Sequence, residues 1–252
     1  MPAVYAFVDL DDSLFCSTRK RRPGVGFEPA ALLRNGKVIS FTSPAQQTMI
    51  QWLQQGATLI PVTARSVEGL ARVLVAFQGP AIVSFGGVIL DAQRQPDRVW
   101  AARMAVELAG SHALLIDACA ALSAAITARG LDAWVRLVEE FGQTQYLLAK
   151  HRGADTEALA ALRVEVLEPW AGAHPGWRVF QNDNNLTLLP PGLDKAHAVA
   201  HLMAGLRAQQ GDILTIGIGD SLSDAGFLRL CDYAIAPQGT QLGRRLLGEV
   251  GS

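Results

Sequence analysis

Residues Ala3 to Ser13 read Ala-Val-Tyr-Ala-Phe-Val-Asp-Leu-Asp-Asp-Ser. A short run of mostly apolar residues ends abruptly in three carboxylates, Asp9, Asp11 and Asp12. Such a run is the pattern of a strand buried on both faces, as in a parallel sheet covered by helices. Ligands of open parallel sheets sit outside the carboxyl ends of the strands. The acids therefore fall where a ligand site belongs. Crowded carboxylates also repel one another, and a metal ion is the usual remedy.

Outward from this stretch, apolar runs alternate with helical patterns. Ala30 to Phe41 is predicted as a hairpin, with Asn35-Gly36 as a type I′ turn. Ser43-Pro44 opens a helix to about Gln55, stopped by Gly56. Ala57 to Val62 is a second strand, ending at Thr63, and a helix from about Val67 to Phe77 follows. Ala81 to Ser84 is a third strand, after which Gly86-Gly87 allows a sharp turn. The texture then changes. An Ala-rich helix (Ala113 to Arg129), a strand (Gln143 to Ala149), a helix (Thr156 to Val166) and a hairpin (Trp177 to Leu189, turning on Asn182-Asp183-Asn184) follow. A helix from Asp194 to about Arg207 leads to the strand Ile213 to Ile218, a Gly-Asp turn, a helix, the short strand Tyr233 to Ala236 and a final helix. The fold class this predicts is α/β. A doubly wound, Rossmann-like parallel-sheet core of residues 1–90 and 187–252 is interrupted by an α+β domain of residues 91–186.

Composition bounds the function. Of 252 residues, 50% are hydrophobic and 18% charged, and the mean hydropathy is +0.20. That is ample material for a core and excludes a disordered chain. A net charge of −1 argues against broad nucleic-acid binding, which needs a clearly basic surface. The longest apolar segment, Leu108 to Ile126, is interrupted by His112 and Asp117, so it is expected to be a buried helix rather than a membrane span. The N-terminus lacks the basic region of a signal peptide. Cys16, Cys119 and Cys231 are odd in number and widely spaced, which fits a reducing, cytoplasmic setting.

Polar residues at the ends of the predicted strands come from distant places: Asp9 and Asp11, Thr63, and Asp220 with Asp224 in Gly-Asp-Ser-Leu-Ser-Asp. Lys195 opens the helix that re-enters the core. Mg²⁺ favours one or two carboxylates together with water and phosphate oxygens. Asp220 and Asp224 also suit a plainer role, capping the helix that begins nearby.

All four motifs resemble, in order, those of the haloacid dehalogenase superfamily of phosphatases: Asp9-Leu10-Asp11-Asp12-Ser13, then Thr63 in Pro-Val-Thr-Ala-Arg-Ser, then Lys195, then Asp220 and Asp224. The long insertion resembles a C2-type cap, and Ile82 to Asp91 and Leu186 to Leu202 resemble the Cof-type and sucrose-phosphatase-like branch. The resemblance implies that Asp9 attacks phosphorus and forms an aspartyl-phosphate. Asp11 would protonate the leaving oxygen and then activate water, dividing one hard step into two easier ones. Thr63 and Lys195 would hold the phosphoryl oxygens. Mg²⁺ would bind Asp9, the backbone carbonyl of Asp11, and Asp220, with Asp224 a ligand or an orienting group. Ser13 and Arg65 beside the motifs, and Lys150, Arg178 and Asn185 in the insertion, are candidate substrate-binding residues.

The reading departs from the family pattern at Asp12, where many relatives have Gly, and at Phe85, where Asn is frequent. Arg19-Lys20-Arg21-Arg22 is either a solvated basic loop or a flap that attracts anionic substrate. His197 and His201 are spaced as a zinc pair on a helix, but an ordinary helix face accounts for them. The expected activity is Mg²⁺-dependent hydrolysis of a small phosphorylated metabolite, a sugar phosphate, by a monomer or homodimer with no nucleic-acid or membrane partner. A phosphomutase or phosphotransferase, and a non-enzymatic phospho-accepting domain, are the alternatives.

Overall fold

The strand Ala3–Val8 pairs in parallel with Ile213–Ile218 on one side and Thr58–Pro61 on the other. Tyr233–Ile235 extends the sheet beyond Ile213–Ile218, again in parallel. On the far side a single parallel bridge, Val62 to Ile82, attaches the strand Ala81–Val83. Ala6, Phe7, Val8, Ile60, Ala81, Ile82 and Val83 are wholly buried, as expected for strands covered on both faces. This is the predicted α/β parallel-sheet fold. In this computed structural model, residues 2–21 and 26–247 are described.

The chain divides into two compact units, Met1–Ala101 with Asp194–Ser252, and Ala102–Leu193. In the first, the helix Pro44–Gly56 begins with a capping box. Ser43 Oγ accepts from the Gln46 N–H, and the Gln46 side chain accepts from the Ser43 N–H. The helix Lys195–Gln210 is capped by Asp194, which accepts from Ala196 N at 2.8 Å.

Three local expectations are corrected. The turn at Leu33 to Lys37 is not type I′. The Gly36 N–H bonds to the Leu33 carbonyl, the Leu33 N–H bonds to the Lys37 carbonyl, and only Gly36 has positive φ. That is a three-residue loop ending in a glycine bulge. The helix expected over Val67 to Phe77 stops at Leu70. The chain beyond it is recruited by the neighbouring strand Glu28–Leu32, through the Leu32 N–H to the Arg72 carbonyl and the Leu74 N–H to the Ala30 carbonyl. The sharp turn near Gly86-Gly87 starts earlier. Ser84, Phe85 and Gly86 all have positive φ, at 52°, 57° and 93°.

The second unit is a four-stranded antiparallel sheet with Arg178–Asn182 at one edge, then Asn185–Leu189, Gln143–His151 and Ala133–Glu140. The apolar helix Ser111–Ala128 belongs to the core of this sheet. Leu115, Ala118, Leu122 and Ile126, at helical spacing, are buried with Leu147, Ala149, Leu186 and Leu188. By length and composition it is the one helix among the described residues apolar enough to cross a membrane. Trp170 and Trp177 meet edge to face, and Trp170 donates to Asp117.

Candidate active site

The three carboxylates at the strand ends are gathered by topology. Asp9 follows the central strand, and its N–H bonds to the carbonyl of Ile218 at 2.8 Å, in the adjacent strand. Asp220 and Asp224 lie on the loop that leaves that neighbouring strand. One carboxylate oxygen from each of Asp9, Asp220 and Asp224 falls within 4.8 Å of the others, and all three residues are buried. Lys195, at the first turn of its helix, donates to Asp9 Oδ1 at 2.7 Å and to Asp224 Oδ1 at 2.6 Å. Ser13 Oγ lies 3.5 Å from the other Asp9 oxygen, Oδ2.

Asp224 is fully engaged by protein. Its Oδ1 takes Lys195, and its Oδ2 accepts from the N–H groups of Asp220 and Ser221 and from Ser221 Oγ at 2.9 Å. Asp224 therefore shapes the Asp220 loop and aims the lysine. Gly219 permits this fold-back. A Cβ there would come within 2.5 Å of Asp224 Cβ, closer than carbon atoms approach. Ser221 was not singled out from the sequence, although it lies inside the quoted motif.

Charge is out of balance here. Three carboxylates face one ammonium in a buried place, where an unpaired charge is costly. Burial pushes the Asp9 carboxyl well above the usual carboxylate range; Lys195 opposes this, while Asp224 and Asp220 add to it. Asp220 is pushed up to about 7, by burial first and then by Asp224 and Asp12. Burial works against the Lys195 ammonium, but Asp224 and Asp9 outweigh it and hold its pKa above the usual lysine value. A cluster that resists full ionisation, built of oxygen donors only, suits a hard divalent cation. Mg²⁺ fits the donor set, with Asp9 and Asp220 as the carboxylates not consumed by protein contacts to the extent that Asp224 is.

A second group stands beside the first. Arg65 donates to both Asp11 oxygens, from Nε at 2.8 Å and Nη2 at 2.7 Å, and Nη2 also reaches Ser40 Oγ at 3.3 Å. Arg65 is mostly buried, 5.2 Å over the Phe15 ring, whereas the Asp11 side chain is 52% exposed. Thr63 is buried, and its Oγ1 accepts from the Arg65 N–H at 3.1 Å. The left-handed turn docks on the same segment, with the Ser84 N–H on the Arg65 carbonyl and the Phe85 N–H on the Thr63 carbonyl. Phe85 places its ring 6.0 Å from Lys195 Nζ, an apolar wall beside the ammonium. Gly86 is required in that turn, since a Cβ would strike the Asp194 carbonyl oxygen at 2.4 Å.

Asp12 adopts φ 67° and holds Lys20 at 2.6 Å. Arg21 lies 4.1 Å over the Phe41 ring. Two members of the basic run are thus anchored to the protein, and Arg22 lies outside the described residues. Lys150, Arg178 and Asn185 are on strands of the second unit. The Arg178 guanidinium bonds to the Leu193 carbonyl and lies 5.8 Å over Phe180, and the Asn185 amide donates to the Asn182 carbonyl. His197 is exposed, and His201 is 3.7 Å from Asp97 and beside Trp100. The acidic trio is the one group with metal-binding geometry among the described residues.

Solved structures share this architecture. The C-terminal domain of a Candida albicans trehalose-6-phosphate phosphatase matches with a TM-score of 0.60 at 11% identity, over 90% of this chain and 73% of that one. A Thermoplasma acidophilum protein matches at 0.54 and 15%, over 99% and 90%. The sucrose-phosphatase of Synechocystis, solved with sucrose and phosphate, matches at 0.51 and 16%, over 98% and 96%. The chain has the haloacid dehalogenase fold. No protein-family model and no curated protein matches the sequence. The strands that precede Asp9 and Asp220 are parallel neighbours, with Val8 opposite Ile218.

Proposed function

We propose that the protein is a Mg²⁺-dependent phosphatase acting on a small phosphorylated metabolite, a sugar phosphate, through an aspartyl-phosphate on Asp9. The observation that carries this reading is the Asp9 carboxylate, buried at the end of the central strand and held by Lys195 beside two further acids. A nucleophile must be fixed and kept from water, and the Lys195 contact fixes one Asp9 oxygen. The other, Oδ2, is the one near Ser13. Lys195 neutralises charge on the transferring group, Thr63 offers its hydroxyl, and Asp11 moves protons to the leaving oxygen and from water. Asp9, Asp220 and the backbone carbonyl of Asp11 would hold Mg²⁺, which would supply electrostatic stabilisation of the phosphoryl oxygens. Uncatalysed monoester hydrolysis is so slow that enzymes accelerate it by up to ~10²¹-fold, so these effects must act together.

The sugar-phosphate preference is supported by likeness of fold to a sucrose-phosphatase and a trehalose-6-phosphate phosphatase. Lys150, Arg178 and Asn185 are carried forward as candidate contacts to the leaving group. Three free cysteines suit a cytoplasmic setting. The test is a panel of phosphorylated sugars and an aryl phosphate, with Mg²⁺ and with chelator. The wild type should release phosphate only with the cation, without any second acceptor, and Asp9→Asn should be inactive while keeping its circular dichroism. Turnover by Asp9→Asn refutes the mechanism.

A further inference from the structure

We propose that Arg65 is a positioning residue for Asp11, its guanidinium fork fixing the Asp11 carboxylate for proton transfer, and that it does not itself hold the substrate phosphate. The inference rests on the phosphatase reading above. It also revises the expectation that Arg65 binds substrate.

The geometry is that of a built support. Asp11 sits on a loop, half exposed, next to a residue in the left-handed region. Left free, its carboxylate would sample several rotamers. Arg65 removes that freedom with two parallel N–H···O bonds, the arrangement that adds direction as well as strength to an arginine–carboxylate pair. The arginine is itself fixed at four points. Its N–H is on Thr63 Oγ1, its carbonyl takes the Ser84 N–H, Nη2 reaches the buried Ser40 hydroxyl, and Phe15 lies beneath the guanidinium. Apart from the local bond to Thr63, these contacts come from three separate segments of the chain, which is more than a surface ion pair of convenience requires. A carboxylate has about four lone-pair sites, and the fork uses two, so a leaving group or water still has access to the others.

The step this serves balances as follows. An Asp9 oxygen forms a bond to phosphorus while the bond from phosphorus to the leaving oxygen breaks, and the Asp11 carboxyl gives that oxygen its proton. The Asp11 carboxylate next takes a proton from water as the water oxygen bonds to phosphorus. The electron pair of the Asp9–phosphorus bond returns to Asp9, and inorganic phosphate leaves. Misplacing Asp11 slows both halves without touching the phosphate.

A double-mutant cycle tests this, with kcat and KM for 4-nitrophenyl phosphate and a hexose 6-phosphate at saturating Mg²⁺. Removing Arg65 in R65A should lower kcat by ~10²-fold, the lower end of a general acid–base contribution, with KM nearly unchanged. In the D11N background the same change should alter kcat less than about twofold, because coupled residues lose their effect when the partner is gone. R65K should recover little, since lysine lacks the fork. Melting temperatures verify folding, and if R65A does not fold, R65Q takes its place in the cycle. Equal losses with and without Asp11, or a raised KM at intact kcat, overturn the proposal. A wild type inactive on every ester overturns the phosphatase reading and this inference with it, an outcome distinct from an active wild type with equal losses.

Discussion

Lys195 Nζ lies 2.7 Å from Asp9 Oδ1, although the two residues are 186 positions apart in the chain. Both side chains are nearly inaccessible to water, and the same ammonium bonds Asp224 at 2.6 Å. One cation thus ties the end of the central strand to the loop that follows its neighbour. The tie is structural, because Lys195 is the only counter-charge that the described residues place within bonding distance of this trio.

Replacing that lysine exposes its structural share. Lys195→Met leaves three buried carboxylates without a bonded cation, and breaking a buried pair in this way costs about 3–5 kcal/mol. Urea titration in chelator at pH 7.5 should show a lower midpoint for the variant. The deficit should shrink in Mg²⁺, because a ligand that binds only the folded state stabilises it. A midpoint equal to wild type in chelator would refute the accounting of charge.

The raised carboxyls make a signed prediction about pH. Asp220 rises from an ordinary 3.8 to about 7 in the folded, metal-free protein. A folded pKa above the unfolded one means that the group's contribution is fully present below 3.8 and is lost as pH rises through about 7. Asp9 is shifted in the same direction. Metal-free protein should therefore lose stability from this site between pH 5 and pH 8, while Mg²⁺ should raise the melting temperature more at pH 8 than at pH 6. Asp220→Asn should flatten both trends. A wild-type Mg²⁺ effect independent of pH would contradict them.

How much of this was legible depends on what local sequence encodes. The strand Ala3–Val8 and its acids were legible because a fully buried parallel strand leaves a continuous apolar run that stops at the site. Lys195 and Asp220 were legible by motif, and their meeting with Asp9 follows once the strands are parallel neighbours. The Arg65–Asp11 fork was not, since nothing in 54 residues of separation marks which arginine turns toward which acid. The strand Ala133–Glu140 was not read either. A bulge between Val138 and Glu139 breaks its alternation, and its burial follows no strict period of two. The helix expected beyond Leu70 failed for a different reason. Hydrogen bonds to Ala30 and Leu32 outweigh a helical preference that Val73 and Val75, both β-branched, already weaken.

The closeness of Gly219 to Asp224 makes a steric prediction. Gly219→Ala places a Cβ 2.5 Å from the Asp224 Cβ, so the loop must shift. Overpacking of this kind costs about 1–3 kcal/mol. The larger effect should be on activity, because Asp224 aims Lys195 and holds the Asp220 loop. Hydrolysis should fall at least tenfold, and Mg²⁺ titrations should show weaker binding; a one-ångström misplacement can cost ~10²-fold. Wild-type affinity and rate in the variant would show that the loop has slack.

A last prediction concerns the sheet edge, away from the site. Asp232 Oδ2 accepts from both the N–H and the hydroxyl of Thr215, at 2.8 and 2.7 Å, and the Asp232 N–H bonds back to Thr215 Oγ1 at 2.9 Å. This reciprocal pair fixes the entry to Tyr233–Ile235, the outer strand beside Ile213–Ile218. The hydrogen bonds from the Thr215 hydroxyl and N–H hold the Asp232 carboxyl below its ordinary 3.8. A depressed folded pKa gives stability that is present above the unfolded value and lost as pH falls through the folded one. Asp232→Ala should therefore be less stable than wild type at pH 6–7. Asp232→Asn keeps an acceptor oxygen and should recover part of the loss, without the charge-assisted share. As pH falls through the depressed folded pKa, wild type and Asp232→Asn should converge because the wild-type carboxyl protonates. Denaturant midpoints at three pH values check this, and a gap between them that widens toward low pH would reverse the assigned sign.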